Sequence, residues 1–231
     1  MSIQTVLITG AARGLGLEFV RQYDADGWRI LACARAPAKA QALMELAARS
    51  AGRITIHALE VTDHARVAAL AAELRGTPID VLLNVAGVLV PNGFGASNYD
   101  AWMNSMRINV FGPMKMAEAF VDHVAASAQK KIVTLSSALG SIGGNTSGGM
   151  YDYRSTKSAV NAIMKSMSID LAPRGVIAVP MHPGWVRTDM GGPRGEIDAP
   201  TSVAGMRRVI AGLSAAQSGR FWSYLGAELS W

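Results

Sequence analysis

The chain has 231 residues, half of them hydrophobic and spread along its whole length, which fits one α/β domain with a sizeable core and argues against disorder. Its net charge of +5 comes from basic residues set singly or in pairs such as Lys130-Lys131 and Arg207-Arg208. Without a basic stripe a nucleic-acid surface is excluded, and the mild positive charge suits an anionic small ligand. The single cysteine, Cys33, rules out an internal disulfide. No apolar run nears the roughly 20 residues of a membrane span, and the opening segment is too short for a signal sequence, so a cytoplasmic location is expected.

Short β-branched runs alternate with helical patterns. Residues 5–9 read as a buried strand followed by glycines, and 15–26 as a helix that Gly27 ends. A strand over 29–34, a helix over 38–50, a strand over 54–58 and a helix over 63–74 follow, the last with Asp63 as its cap. Next come a strand over 81–84 and a long helical region over 99–126, which Gly112-Pro113 should kink. Residues 131–135 form a fifth strand, 153–171 a long helix closed by Pro173 and Gly175, 176–182 a sixth strand and 220–222 a seventh. This alternation predicts a Rossmann-like, doubly wound parallel sheet of about seven strands with helices on both faces, in a single domain over residues 1–231. Ligands of such sheets bind at the carboxyl ends of the strands.

After the first strand comes Thr9-Gly10-Ala11-Ala12-Arg13-Gly14-Leu15-Gly16, leading straight into a helix. Glycines let phosphate approach bare backbone, and a helix N-terminus favours its charge. Tyr153 and Lys157 stand four residues apart, about one helical turn, so both project from one face. A phenol is a poor acid or base near neutrality, and a nearby ammonium is expected to lower its pKa. The histidines show no metal-ligand spacing, no Ser/His/Asp triad is apparent, and His182, ending a strand, reads as a packed or turn residue.

The glycine loop and the Tyr153/Lys157 pair, in this order and setting, resemble the short-chain dehydrogenase/reductase family over nearly the whole chain. The narrower combination of Ser137-x-x-Gly140-Ser141-Ile142, the 145–149 insert, Tyr151-x-Tyr153-Arg154-x-x-Lys157 and His182-Pro183-Gly184-Trp185-Val186-x-Thr188-Asp189-Met190 is most similar to the sniffer-type carbonyl reductases and the bacterial C-signal proteins. The resemblance implies a cofactor site at Gly10, Arg13, Gly14, Leu15 and Gly16. Arg35 follows the second strand where an NAD site would place an acid; with Arg13 it implies NADP(H), since a guanidinium holds a 2′-phosphate that a carboxylate would repel. Glu60 and Val61 match the adenine-side segment, with glutamate in place of the usual aspartate. Asn84, Ala86 and Gly87 match the motif after the fourth strand, with Val85 in place of an asparagine. Pro183, Gly184, Val186 and Thr188 match the segment that holds the nicotinamide amide.

By the same resemblance Tyr153 is the proton donor and Lys157 tunes it and holds the nicotinamide ribose. Ser137 hydrogen-bonds the carbonyl oxygen, and Asn109 supports a water and the lysine in a proton relay. The gap from Ser137 to Tyr153 is 16 residues, about three longer than is usual in the family, which leaves Ser141, 12 residues before Tyr153, as a second candidate. The implied activity is NADPH-dependent reduction of a ketone, aldehyde or quinone to an alcohol. Two alternatives stay open: a dinucleotide-binding signalling protein of the C-signal type with little turnover, and a dedicated NADP-dependent alcohol dehydrogenase. Val88, Leu139, Trp185 and Met190 are expected apolar walls for the substrate. A homodimer or homotetramer is the family's habit, and methionines 114, 116, 164 and 167 are candidates for its contact faces.

Overall fold

The computed structural model describes residues 3–231. Its strands are β1 (Thr5–Thr9), β2 (Arg29–Ala34), β3 (Ile54–Ala58), β4 (Val81–Asn84), β5 (Lys131–Leu135), β6 (Ile177–His182), β7 (Phe221–Ser223) and β8 (Glu228–Leu229). They form one sheet in the order β3-β2-β1-β4-β5-β6-β7-β8. Every neighbouring pair is parallel except β7 with β8. The expected architecture is therefore present, with eight strands rather than about seven. The extra one is two residues long and is held by its hairpin with β7, so no periodic pattern announces it.

Strand β1 pairs with β2 on one side and β4 on the other, so the chain reverses direction across the sheet between β1 and β4. That reversal opens a crevice at the carboxyl ends of these strands. The side chains of β1 alternate: Val6 and Ile8 join one apolar cluster and Leu7 the other. Helices α1 (Gly14–Ala25), α2 (Gln41–Arg49) and α7 (Ala199–Gly212) cover the first face, through Phe19, Leu43 and Met206. Helices α3 (His64–Glu73), α5 (Gly112–Ala125) and α6 (Tyr151–Asp170) cover the second, through Leu70, Phe120 and Met164.

Asp63 caps α3, accepting from the Arg66 amide at 2.9 Å. The long region after β4 departs from expectation in where it breaks. Helix α4 (Tyr99–Met106) passes into a π-helical turn over Arg107–Phe111, and α5 starts at Gly112 with Pro113 in its first turn, where a missing amide hydrogen does no harm. Helix α7 was not anticipated, although Asp198 caps it by accepting from the Thr201 amide at 2.8 Å and Pro200 opens it. The methionines also sort differently from expectation. Met116, Met164 and Met167 are buried in the core, and only Met114 of the four reaches the surface.

Candidate active site

The cleft at the carboxyl ends of β1 and β4 has a volume of about 310 Å³. Along it lie Gly10, Arg13, Gly14, Leu15, Gly16, Arg35, Glu60, Val61, Ala86, Gly87, Tyr153, Lys157, Pro183 and Thr188, all expected there from the sequence. Asn84, Asn109, Ser137, Gly184 and Val186 do not line it. Asn84 is buried and turns its amide to Thr134 at 3.3 Å; Val186 packs in the interior; Gly184 is hemmed in by Ile197 and Tyr224.

Close backbone approach explains the glycine loop. A Cβ on Gly16 would lie 2.2 Å from the Gly10 carbonyl oxygen, and one on Gly10, whose φ is +69°, would lie 2.9 Å from the Ala86 backbone. Thr9 fixes this juxtaposition, its hydroxyl accepting from the amides of Val85 and Ala86 at 3.0 and 3.2 Å. The result is bare backbone at the N-terminus of α1, flanked by the exposed guanidinium groups of Arg13 and Arg35. Such a cradle fits a phosphorylated dinucleotide.

The other end of the cleft holds the ionisable pair. Gly140 admits it: a Cβ there would sit 2.8 Å from the Lys157 backbone, so only glycine lets the turn after Ser137 lie against α6. The Ser137 side chain lies close enough to Tyr153 to pull its pKa down, and its hydroxyl oxygen accepts from the Leu139 amide at 3.2 Å. Ser141 points elsewhere, donating to the Trp231 carbonyl at 3.1 Å and accepting from the Gly144 amide at 3.0 Å. The 145–149 insert takes up the extra length with Gly148 and Gly149 at positive φ, and Met150 turns left-handed into α6.

Lys157 Nζ lies 5.5 Å from the centroid of the Tyr153 ring and donates to the Leu135 carbonyl at 2.8 Å. Burial pushes the Tyr153 phenol up to about 12, against a smaller opposing pull from the Ser137 side chain. Burial also pushes the Lys157 ammonium down to about 8. The expectation that the ammonium would lower the phenol's pKa is thus corrected, because desolvation is the larger effect on both groups. The phenol stays protonated at neutral pH, the state a proton donor needs.

Asn109 is buried in the π-helical turn. Its side chain accepts from the Val88 amide at 2.8 Å and donates to the Val88 carbonyl at 2.9 Å and to the Thr156 hydroxyl at 3.1 Å. A Cβ on Gly87 would lie 3.2 Å from its oxygen and 3.8 Å from Lys157 Nζ, so Gly87 runs between the two side chains. Asn109 therefore holds the wall of the cleft in place. His182 is pushed down to about 4 by burial and its Nδ1 has no partner, so it is a neutral, packed ring. Among the described residues no cluster of metal-ligating side chains occurs, and no helix is long and apolar enough to cross a membrane.

Residues 4–198 match the short chain dehydrogenase family model. The chain belongs to this family of oxidoreductases. C-signal of Myxococcus xanthus is 43% identical over 155 residues, 67% of this chain and 93% of that protein. The carbonyl reductase Sniffer of D. melanogaster is 32% identical over the full length of both chains, with a TM-score of 0.92. The NADPH-bound carbonyl reductase from chicken fatty liver is likewise 32% identical over both full lengths, with a TM-score of 0.94. The C-signal-like resemblance is thus present in the sequence and the sniffer-like one in the structure.

Sequence reading alone left out Ala12, Leu59, Ile108, Ser136 and Asp189, which also line the cleft. Asp189 had a signal in its place beside Thr188. Ile108 had none, because the π-helical turn decides which of its side chains face the cleft. Of the expected apolar walls, Val88 and Met190 line the cleft; Trp185 and Leu139 do not.

Proposed function

We propose that the protein reduces a carbonyl compound to an alcohol with NADPH. The observation that carries this reading is one continuous cleft with two basic side chains around a glycine cradle at one end and a protonated Tyr153 beside Lys157 at the other. The likeness to an NADPH-bound carbonyl reductase supports it.

Gly10, Gly14 and Gly16 present backbone to the dinucleotide phosphates, Arg13 and Arg35 take the 2′-phosphate, and Glu60 and Val61 flank the adenine. Pro183 and Thr188 border the nicotinamide end with Lys157. When bound, the cofactor supplies a hydride to the carbonyl carbon. Ser137 donates a hydrogen bond to the carbonyl oxygen and Tyr153 O–H gives it a proton, so the oxygen stays on its carbon as the hydroxyl of the alcohol. Lys157 keeps a positive charge near the phenolate that remains until solvent returns its proton. Asn109 is a positioning residue that holds Val88 and Gly87 against this site. Val88, Ile108 and Met190 make the substrate end apolar, which suits ketones, aldehydes or quinones with hydrocarbon bodies.

The test is loss of NADPH absorbance with a panel of carbonyl compounds, comparing wild type with Tyr153→Phe. Turnover by wild type alone is expected. A second reading, a dinucleotide-binding signalling protein, is favoured by the 43% identity to C-signal. It predicts NADPH binding with no turnover by either protein. A dedicated alcohol dehydrogenase would instead show one strongly preferred substrate and faster oxidation than reduction.

A further inference from the structure

The two arginines flanking the cradle are not free cations. Arg13 pairs with Asp189 at 2.9 Å, joining the glycine loop to the segment after β6. Arg35 pairs with Glu60 at 3.6 Å, joining the end of β2 to the end of β3. All four side chains line the same cleft. Glutamate is one methylene longer than the aspartate expected at position 60. It lets one carboxylate oxygen meet Arg35 while the other lies 3.4 Å from the Thr62 amide.

We infer that Glu60 and Asp189 set the protein's selectivity between phosphorylated and unphosphorylated nicotinamide dinucleotides, by competing with the 2′-phosphate for Arg35 and Arg13. This rests on the NADPH reading above. Two guanidinium groups and two carboxylates sum to zero charge, so a phosphate carrying about −1.5 to −2 meets a neutral cluster unless it displaces the carboxylates. Displacement is feasible because both guanidinium groups face solvent: the side chains of Arg13 and Asp189 are 79% and 77% accessible, and that of Arg35 is 77% beside a half-buried Glu60 at 33%. Exposed pairs of this kind are weak, whereas an arginine–phosphate contact with two guanidinium groups is strong and directional. Each carboxylate then lowers NADPH affinity more than NADH affinity, because NADH has no 2′-phosphate to compete for the arginines. Neutralising them should widen the preference for the phosphorylated form.

The experiment measures dissociation constants for NADPH, NADH and adenosine 2′-monophosphate by tryptophan fluorescence, in wild type and in Glu60→Gln, Asp189→Asn and the double variant. Glutamine keeps an acceptor for the Thr62 amide, and all four positions are at the surface of the cleft, so circular dichroism should show an unchanged fold. The double variant is expected to raise the NADPH-to-NADH affinity ratio roughly three- to tenfold at low salt, and to bind adenosine 2′-monophosphate more tightly by a similar factor. The gain should shrink as salt rises and the Debye length falls to about 8 Å. Asp122→Asn, which removes a carboxylate paired with Arg174 away from the cleft, should leave all three constants unchanged. Unchanged or weaker NADPH binding in the double variant overturns the inference and leaves the NADPH reading standing. Equal tightening by Asp122→Asn also overturns it, since net charge would then explain the effect. If wild type binds neither NADPH nor adenosine 2′-monophosphate, both readings fall together.

Discussion

Lys157 holds its ammonium 5.5 Å from the centroid of the Tyr153 ring, one helical turn away on α6, and both side chains are buried. Burial acts on the two in opposite directions, raising the phenol and lowering the ammonium. The protonated phenol and the strained ammonium are consequences of the same desolvation. An ammonium with a pKa near 8 sits close to working pH, where modest changes alter its charge.

Replacing Tyr153 by Phe removes the proton donor and keeps the ring that fills the site. Turnover should fall by about 10²–10⁴-fold, with the NADPH dissociation constant close to wild type. Single-turnover kinetics beside a binding titration separates the two effects.

The two serines should behave differently. Ser137→Ala removes the hydroxyl that acts on Tyr153 and is expected to cost roughly 10²-fold or more in kcat. Ser141→Ala should leave kcat within a few-fold. It should lower stability by about 1–2 kcal/mol, because the Gly144 amide loses its partner and the Trp231 oxygen keeps only the Gly143 amide. Steady-state rates and urea melts of both variants decide between them.

Lys157 also governs stability against pH. An ammonium lowered from 10.5 to about 8 leaves the unfolded chain binding more protons than the folded one between those values. Stability from this group therefore rises with pH through that window, and its cost is full below about pH 8. Between pH 7 and pH 10 wild type should gain about 2–3 kcal/mol relative to Lys157→Met, by urea unfolding at each pH. Carbonyl reduction should decline above about pH 8 as the ammonium discharges; a flat rate profile from pH 7 to pH 10 contradicts a role for that charge.

Gly16→Ala tests the backbone cradle. Its Cβ would have to displace the Gly10 carbonyl, so the variant should lose roughly 1–3 kcal/mol of stability and bind NADPH more weakly. Gly27→Ala falls on a positive φ, unlike Gly16→Ala, but no atom lies within 4 Å of the added carbon. It should therefore lose only backbone-strain energy and keep its NADPH affinity, as thermal melts and titrations will show.

The alternation of β-branched runs with helical patterns is enough to read seven of the strands and the helices between the first six, because each element buries a face whose period is local. The glycine loop and the Tyr153/Lys157 spacing were legible for the same reason: both are short-range geometry. The antiparallel edge strand and α7 were not read, the first because pairing with β7 creates it, the second because its cap and proline were easily taken for loop. Choosing Ser137 over Ser141 depended on Gly140 pressing the turn against α6 while Ser141 is drawn to Trp231. The ionisation of Tyr153 and the pairing of Arg13 and Arg35 with Asp189 and Glu60 were likewise settled by the fold. Desolvation and long-range charge contacts depend on what the rest of the chain packs around a residue, and spacing along the chain carries no measure of that.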